Sequence, residues 1–171
     1  MENLKECKQP KEILDALRGM LMTAKGFILF AGKNGTGKTY ASKCVYNQAI
    51  HPLTPPSYNH DIAFFSSQAE LMLRLERERK QFGEIFGFVD YIKKSKLLVL
   101  DDIGTRSPTD ALRDFIYLVL DYRYNENLAT IITTNNNSNE LRLTFGDAFI
   151  SRAASGKVFR FEGEDRRRKD F

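Results

Sequence analysis

Only two cysteines occur in the 171 residues, Cys7 and Cys44, far apart and without a C-x-x-C spacing. They cannot build a zinc site by themselves, and so low a count suits a reducing compartment better than a disulfide-stapled secreted domain. No apolar run is long enough to span a membrane. The opening residues, MENLKECKQPKEILDALRGMLM, interleave charges with apolar side chains, which excludes a secretory signal. These absences together predict a cytoplasmic protein with no membrane partner. Prolines are scarce, yet three fall within HPLTPPSYNH at 51–60, which excludes a regular helix or central strand there. Internal repeats and an interdomain linker are also lacking.

What remains is a chain that is 42% hydrophobic and 28% charged, enough for one domain with a proper core. Short apolar runs near 26–31, 61–66, 97–101, 129–134 and 157–161 read as strands. Helical stretches near 38–50, 67–81, 84–94, 108–125, 138–144 and 146–154 separate them. Strands alternating with helices of this length predict an α/β fold with a parallel sheet covered on both faces. In the stretch SQAELMLRLERERKQF, Leu71, Leu75 and Phe82 share one helical face, and Glu70–Arg74 and Glu76–Lys80 stand at i,i+4 spacing. The net charge of +4 permits a nucleic-acid partner without requiring one. The run Arg166, Arg167, Arg168 and Lys169 reads as a solvated chain end.

The run FILFAGKNGTGKTY, residues 27–40, carries the chemistry. It meets G-x-x-x-x-G-K-[ST] in full, with a strand leading in and a helix leading out. Gly32, Gly35 and Gly37 let the main chain approach a ligand closely, and successive N–H groups form a concavity suited to phosphate oxygens. Lys38 is expected to reach the β- and γ-phosphates of ATP, and the Thr39 hydroxyl to meet Mg²⁺. Gly32, Asn34, Gly35, Thr36, Gly37, Lys38, Thr39 and Tyr40 are the candidate nucleotide contacts.

A second group of residues follows at strand ends. In KSKLLVLDDIG, four apolar residues build a strand that finishes in two carboxylates, at the edge where open α/β sheets bind ligands. Asp101 is expected to hold Mg²⁺ opposite Thr39, and Asp102 to orient and deprotonate the attacking water. ATIITTNNNSNEL ends another buried strand in Thr and Asn. Asn135 is the candidate for sensing the γ-phosphate or its attacking water, while Asn136 and Asn137 read as a turn. The short helix carrying Ser151-Arg152 supplies a surface cation or, in a ring or filament, an arginine finger for a neighbour.

This series resembles the AAA+ domain of DnaC/DnaI-type helicase loaders and the related IstB transposition helpers. The resemblance runs from the phosphate loop through DDIG and YLVLDYRYNENLATIITTN to Ser-Arg and GEDRR, from about Gly26 to Arg167. It implies a P-loop NTPase of the AAA+ type, a three-layer sandwich around a five-stranded parallel sheet. In that sheet the Asn135 strand would lie between the phosphate-loop strand and the Asp101-Asp102 strand. It further implies that Asn135 is the sensor 1 residue and that Arg152 acts in trans. ATP-dependent assembly into an oligomer or filament would follow, with single-stranded DNA and a replicative helicase or another loader as partners. Three departures stand out. Residues 1–25 form only a helical lead-in to a core at 26–171, where loaders usually carry a helicase-gripping domain. No C-terminal lid domain is expected after the last strand, although Arg167 matches an arginine near the family's end. Asp102 stands where many AAA+ proteins have Glu, one methylene longer, which predicts slow hydrolysis suited to a switch.

Two other functions compete. Without a helicase-gripping domain the chain could cap a full-length loader and hydrolyse nothing. A small-molecule kinase would need an acceptor pocket and usually an Arg-rich lid; no lid segment is visible, and LDDIG followed by IITTN is not what that class shows. For DNA, the candidate contacts are Lys93, Lys94, Lys96, Arg106 and the 166–169 cluster, with Phe64 or Phe65 as stacking platforms. Their plain alternatives are solvated lysines and core phenylalanines.

Overall fold

The computed structural model describes residues 4–50, 63–83, 85–163 and 165. The proline-rich loop at 51–60 and the Arg166–Lys169 cluster, with Arg167, lie outside the described residues. Five strands form the sheet: β1 (Phe27–Gly32), β2 (Ala63–Ser67), β3 (Leu97–Ile103), β4 (Ala129–Thr134) and β5 (Lys157–Phe161). Their spatial order is β2-β3-β4-β1-β5, and every pairing is parallel. The expected neighbourhood is therefore present, with β4 between β1 and β3.

Seven helices complete the described chain: α1 (Lys11–Thr23), α2 (Lys38–Ala49), α3 (Gln68–Phe82), α4 (Phe86–Lys94), α5 (Asp110–Asn125), α6 (Ser138–Phe145) and α7 (Asp147–Ala153). Side chains alternate across a strand, so each central strand feeds two cores. Ile28, Phe30, Leu97, Val99 and Ile131 face α1 and α2, beside Leu17, Met20 and Val45. Phe27, Leu29, Leu98, Leu100 and Ile132 face the other helices, beside Leu71, Phe115, Val119 and Phe149. Both cysteines are buried in the first of these cores.

Two readings of α3 are corrected. Phe82 shares a helical face with Leu71 and Leu75, but it is 60% exposed while they are buried. The helix ends at Gly83, which takes φ 71, and buries nothing after Leu75, so Phe82 lies beyond its packed part. Glu70 does not pair with Arg74. It folds back into a capping box with Ser67, satisfying N–H groups that the first turn leaves without helical partners. Arg74 instead lies over the rings of Phe64 and Phe88, at 5.5 and 4.7 Å.

Arg123 is the largest fully buried side chain, and the sequence reading passed over it. Its guanidinium donates to the carbonyls of Ile92, Lys93, Ser95 and Ala129 and to the Thr130 hydroxyl. It thus ties the end of α4 to the start of β4. Burial pushes its pKa down to about 9, still above neutrality, so the group remains charged.

Candidate active site

The sheet places the C-terminal ends of β1, β3 and β4 side by side, and the polar residues at these ends converge. A cavity of about 770 Å³ opens there, lined by Asn34, Gly35, Gly37, Lys38, Thr39, Tyr40, Lys43, Asp102, Asn135 and Asp165. Gly32 and the buried Thr36 shape the loop from behind. Gly32 takes φ 149, and a Cβ there would lie 2.1 Å from the Phe161 carbonyl oxygen, so only glycine lets β5 pack against the loop. Thr36 Oγ1 donates to the Lys33 carbonyl at 2.9 Å, closing the turn.

The central charged and polar members are engaged with one another or with the loop. Lys38 Nζ donates to the carbonyls of Gly32 and Lys33, at 2.7 and 2.6 Å, so the ammonium is held over the loop. The Thr39 hydroxyl donates to both carboxylate oxygens of Asp101, at 3.0 and 3.1 Å. Thr133 Oγ1 also donates to Asp101, at 2.7 Å, and accepts from the Asp102 N–H at 2.9 Å. Asn135 Nδ2 donates to Asp102 Oδ1 at 2.6 Å.

Asp101 is only 6% exposed. Burial raises its pKa above the ordinary carboxylate value, with the nearby Asp102 charge adding to the rise, while bonds from Thr133 and Thr39 oppose it. By the linkage sign, a carboxyl raised in the folded state favours folding while protonated and loses that contribution as pH rises through its folded pKa. A cation bound beside it would offset that burial and favour the ionised form.

Asp102 has φ 61, a left-handed backbone that non-glycine residues rarely adopt. The β3–β4 register shifts between Leu100 and Ile103 at the same place. An irregularity of this kind re-aims a side chain, and here it puts Asp102 into the cavity while Asp101 stays behind Thr39. Such a conformation costs on the order of 1–3 kcal/mol, stored where the chemistry would be.

Arg152 is not with the others. It lies on α7, where Nε donates to Asp121 Oδ1 of α5 at 2.8 Å and Nη1 to the Ala148 carbonyl at 3.0 Å. Its guanidinium stacks on Tyr117 at 5.1 Å. The residue does not line the cavity of its own chain.

Three supporting residues escaped the sequence reading. Thr133 joins the Asp101 carboxylate to the Asp102 main chain, and a hydroxyl inside a fully buried strand was the available signal. Gln68, also fully buried, accepts from the Gly104 N–H and donates to the Arg106 carbonyl, bracing the segment after β3. Asp165 sits against Gly35, and nothing in its local pattern announces that. Asn136 donates to the Gly104 carbonyl, and Asn137 caps α6 with Glu140. Of the proposed DNA contacts, Lys93 and Lys94 both pair with Asp90. Phe64 is buried against Phe88 and Tyr91, so it offers no stacking face. Phe65 packs on Tyr46 with Lys43 over its ring.

A glycine-rich loop between a strand and a helix, facing two carboxylates across a 2-3-4-1-5 parallel sheet, defines a P-loop NTPase of the AAA+ type. The chain belongs to the family of IstB-like ATP binding proteins, whose sequence profile matches residues 5–160. Two curated relatives are each 28% identical. The insertion sequence IS232 ATP-binding protein of Bacillus thuringiensis subsp. berliner aligns over 86% of this chain and 56% of its own. The replicative helicase loader DnaI of Bacillus subtilis (strain 168) aligns over 79% of this chain and 42% of its own. The chain thus spans about half the length of these relatives. Among solved structures, the replication initiator DnaA bound to AMPPCP and single-stranded DNA superposes with a TM-score of 0.78. That match has 19% identity and covers 95% of this chain and 50% of that one. It shows the shared fold. No helix among the described residues is long and apolar enough to cross a membrane.

Proposed function

We propose that the chain is an ATP-hydrolysing switch of the helicase-loader type, in which ATP at the phosphate loop draws copies together head to tail. Single-stranded DNA and a replicative helicase or another loader would be its partners. The observation that carries this reading is the position of Arg152. The cavity gathers the phosphate loop, Lys38, Lys43, Asp102, Asp165 and Asn135, with Asp101 behind Thr39, whereas the finger candidate Arg152 stands on another face. Phosphoryl transfer depends on neutralising charge at the γ-phosphate, and a cation borrowed from a neighbour supplies what the single chain holds elsewhere.

Within the site, Lys38 would leave the loop carbonyls for the phosphate oxygens. Asp102 would take a proton from water as that water attacks the γ-phosphorus. The bond from the γ-phosphorus to the bridging oxygen breaks, and ADP leaves. Asn135, already on Asp102, would hold the water or the γ-phosphate. The hydroxyl of Thr39 and the carboxylate of Asp101 form an all-oxygen donor pair suited to Mg²⁺. When bound, such an ion neutralises charge on the phosphates. Clusters of three or more acidic, His or Cys ligands are absent among the described residues, so the phosphates and water would complete its shell.

Sedimentation with ATP, with ADP, and with ATP plus a single-stranded oligonucleotide tests this reading. A larger species is expected only with ATP, increased by DNA. A chain that stays monomeric in all three would remove the self-assembly. The IS232 relative favours a second reading, in which the same assembly serves transposition. The two part on the partner: retention of a replicative helicase supports loading, and retention of a transposase supports the other.

A further inference from the structure

We propose that Asp165 is a built-in competitor for the phosphate cradle, so that nucleotide binding and departure of its carboxylate are one event. Gly35 has φ 74, and a Cβ built on it would lie 1.6 Å from Asp165 Oδ1 and 2.1 Å from Asp165 Cγ. The carboxylate therefore fills the space that the missing side chain leaves open. Glycine in such a loop exists to admit an anion against the backbone, and here a side-chain anion occupies that place. Asp165 lines the same cavity as Lys38, Lys43, Thr39, Asp102 and Asn135.

The delivery of this carboxylate follows from the sheet. Phe161 ends β5 with its carbonyl packed on Gly32 of the loop. Glu162 and Gly163 follow, with Gly163 at φ 118, and Asp165 comes to rest on Gly35. The other members of the site are likewise engaged with one another: Lys38 with loop carbonyls, Thr39 with Asp101, Asn135 with Asp102. A polyphosphate must re-partner these groups, and Asp102 shares the cavity, but Asp165 is the carboxylate that lies against Gly35 of the loop, where a phosphate would go. Like charges at close range repel, and this repulsion weakens with salt because the site opens to solvent. The consequence is a raised threshold for nucleotide, set by one side chain.

The inference rests on the phosphate loop being the nucleotide site, and the test separates the two. Titration calorimetry of the full chain with inorganic pyrophosphate, in a chelator so that no cation bridges the two anions, compares the unaltered protein with Asp165→Asn. The exposed Glu162→Gln controls for net charge. Asp165→Asn is expected to bind about tenfold more tightly, equivalent to about 1.4 kcal/mol, with the gain shrinking in high salt. Glu162→Gln is expected to change affinity less than twofold. In the unaltered chain, amide exchange at Glu162, Gly163 and Asp165 is expected to speed up when pyrophosphate is added. Equal or weaker binding by Asp165→Asn, or slower exchange on adding pyrophosphate, would overturn the competitor role and leave the loop's assignment intact. No pyrophosphate binding by either chain would overturn both.

Discussion

Replacing Arg152 by Ala is expected to lower ATP turnover by about a thousandfold, the low end of what an arginine finger contributes. Affinity for ATP should stay within severalfold, because Arg152 does not line the cavity of its own chain. The split between turnover and binding is the informative part. A residue that merely held α7 against α5 would change neither, or would unfold the protein. Asp121→Asn separates these cases. It removes the carboxylate that receives Nε and Nη2 of Arg152 but leaves the cation in place. Turnover close to that of the unaltered chain in Asp121→Asn, beside a dead Arg152→Ala, assigns the effect to the guanidinium itself. Full turnover in Arg152→Ala would end the in-trans account.

The second large effect lies in the core. Arg123→Met keeps a long side chain but removes every donor to the carbonyls of Ile92, Lys93, Ser95 and Ala129. Those acceptors sit around a side chain with no exposure, where water does not readily replace it. No carboxylate accompanies Arg123 among its described partners, so neutral carbonyls and the hydroxyls of Ser95 and Thr130 compensate its charge. Each buried acceptor left unsatisfied costs about 1–3 kcal/mol, so losing several amounts to about 3–5 kcal/mol, a large part of the roughly 5–15 kcal/mol that holds a domain folded. Denaturant titration should show a midpoint shift of that size, and thermal unfolding a drop of roughly 10 °C or more. A loss below about 1 kcal/mol would mean that the segment joining α4 to β3 relaxes freely, and the tie would then be dispensable.

Contrast between these residues shows what the sequence made legible. The phosphate loop, Asp101-Asp102 and the Asn after β4 are contiguous patterns at strand ends, and strand ends follow from apolar runs. The alternation of strands and helices was readable for the same reason. Arg123 and Thr133 were not, because their importance depends on which strands lie side by side. The left-handed backbone at Asp102 arises from the register shift against β4, a property of the pair of strands. Glu70 was misassigned because an i,i+4 pair and a capping box compete for one carboxylate, and the cap also satisfies backbone groups. Phe82 shares the apolar face of α3, but periodicity does not report where along a helix the packing ends. Asp165 depends on where the chain goes after β5, which only packing decides.

If one copy completes the nucleotide site of the next, two differently defective chains should rescue each other on mixing. Lys38→Ala lacks the phosphate-loop ammonium, and Arg152→Ala lacks the guanidinium, so each alone should hydrolyse ATP at a small fraction of the unaltered rate. In a head-to-tail pair, the intact loop of one faces the intact Arg152 of the other. Turnover is predicted to reappear on mixing, greatest at equal amounts and lost on dilution. A mixture as inactive as its parts at every ratio, beside an active unaltered chain, would contradict the shared site.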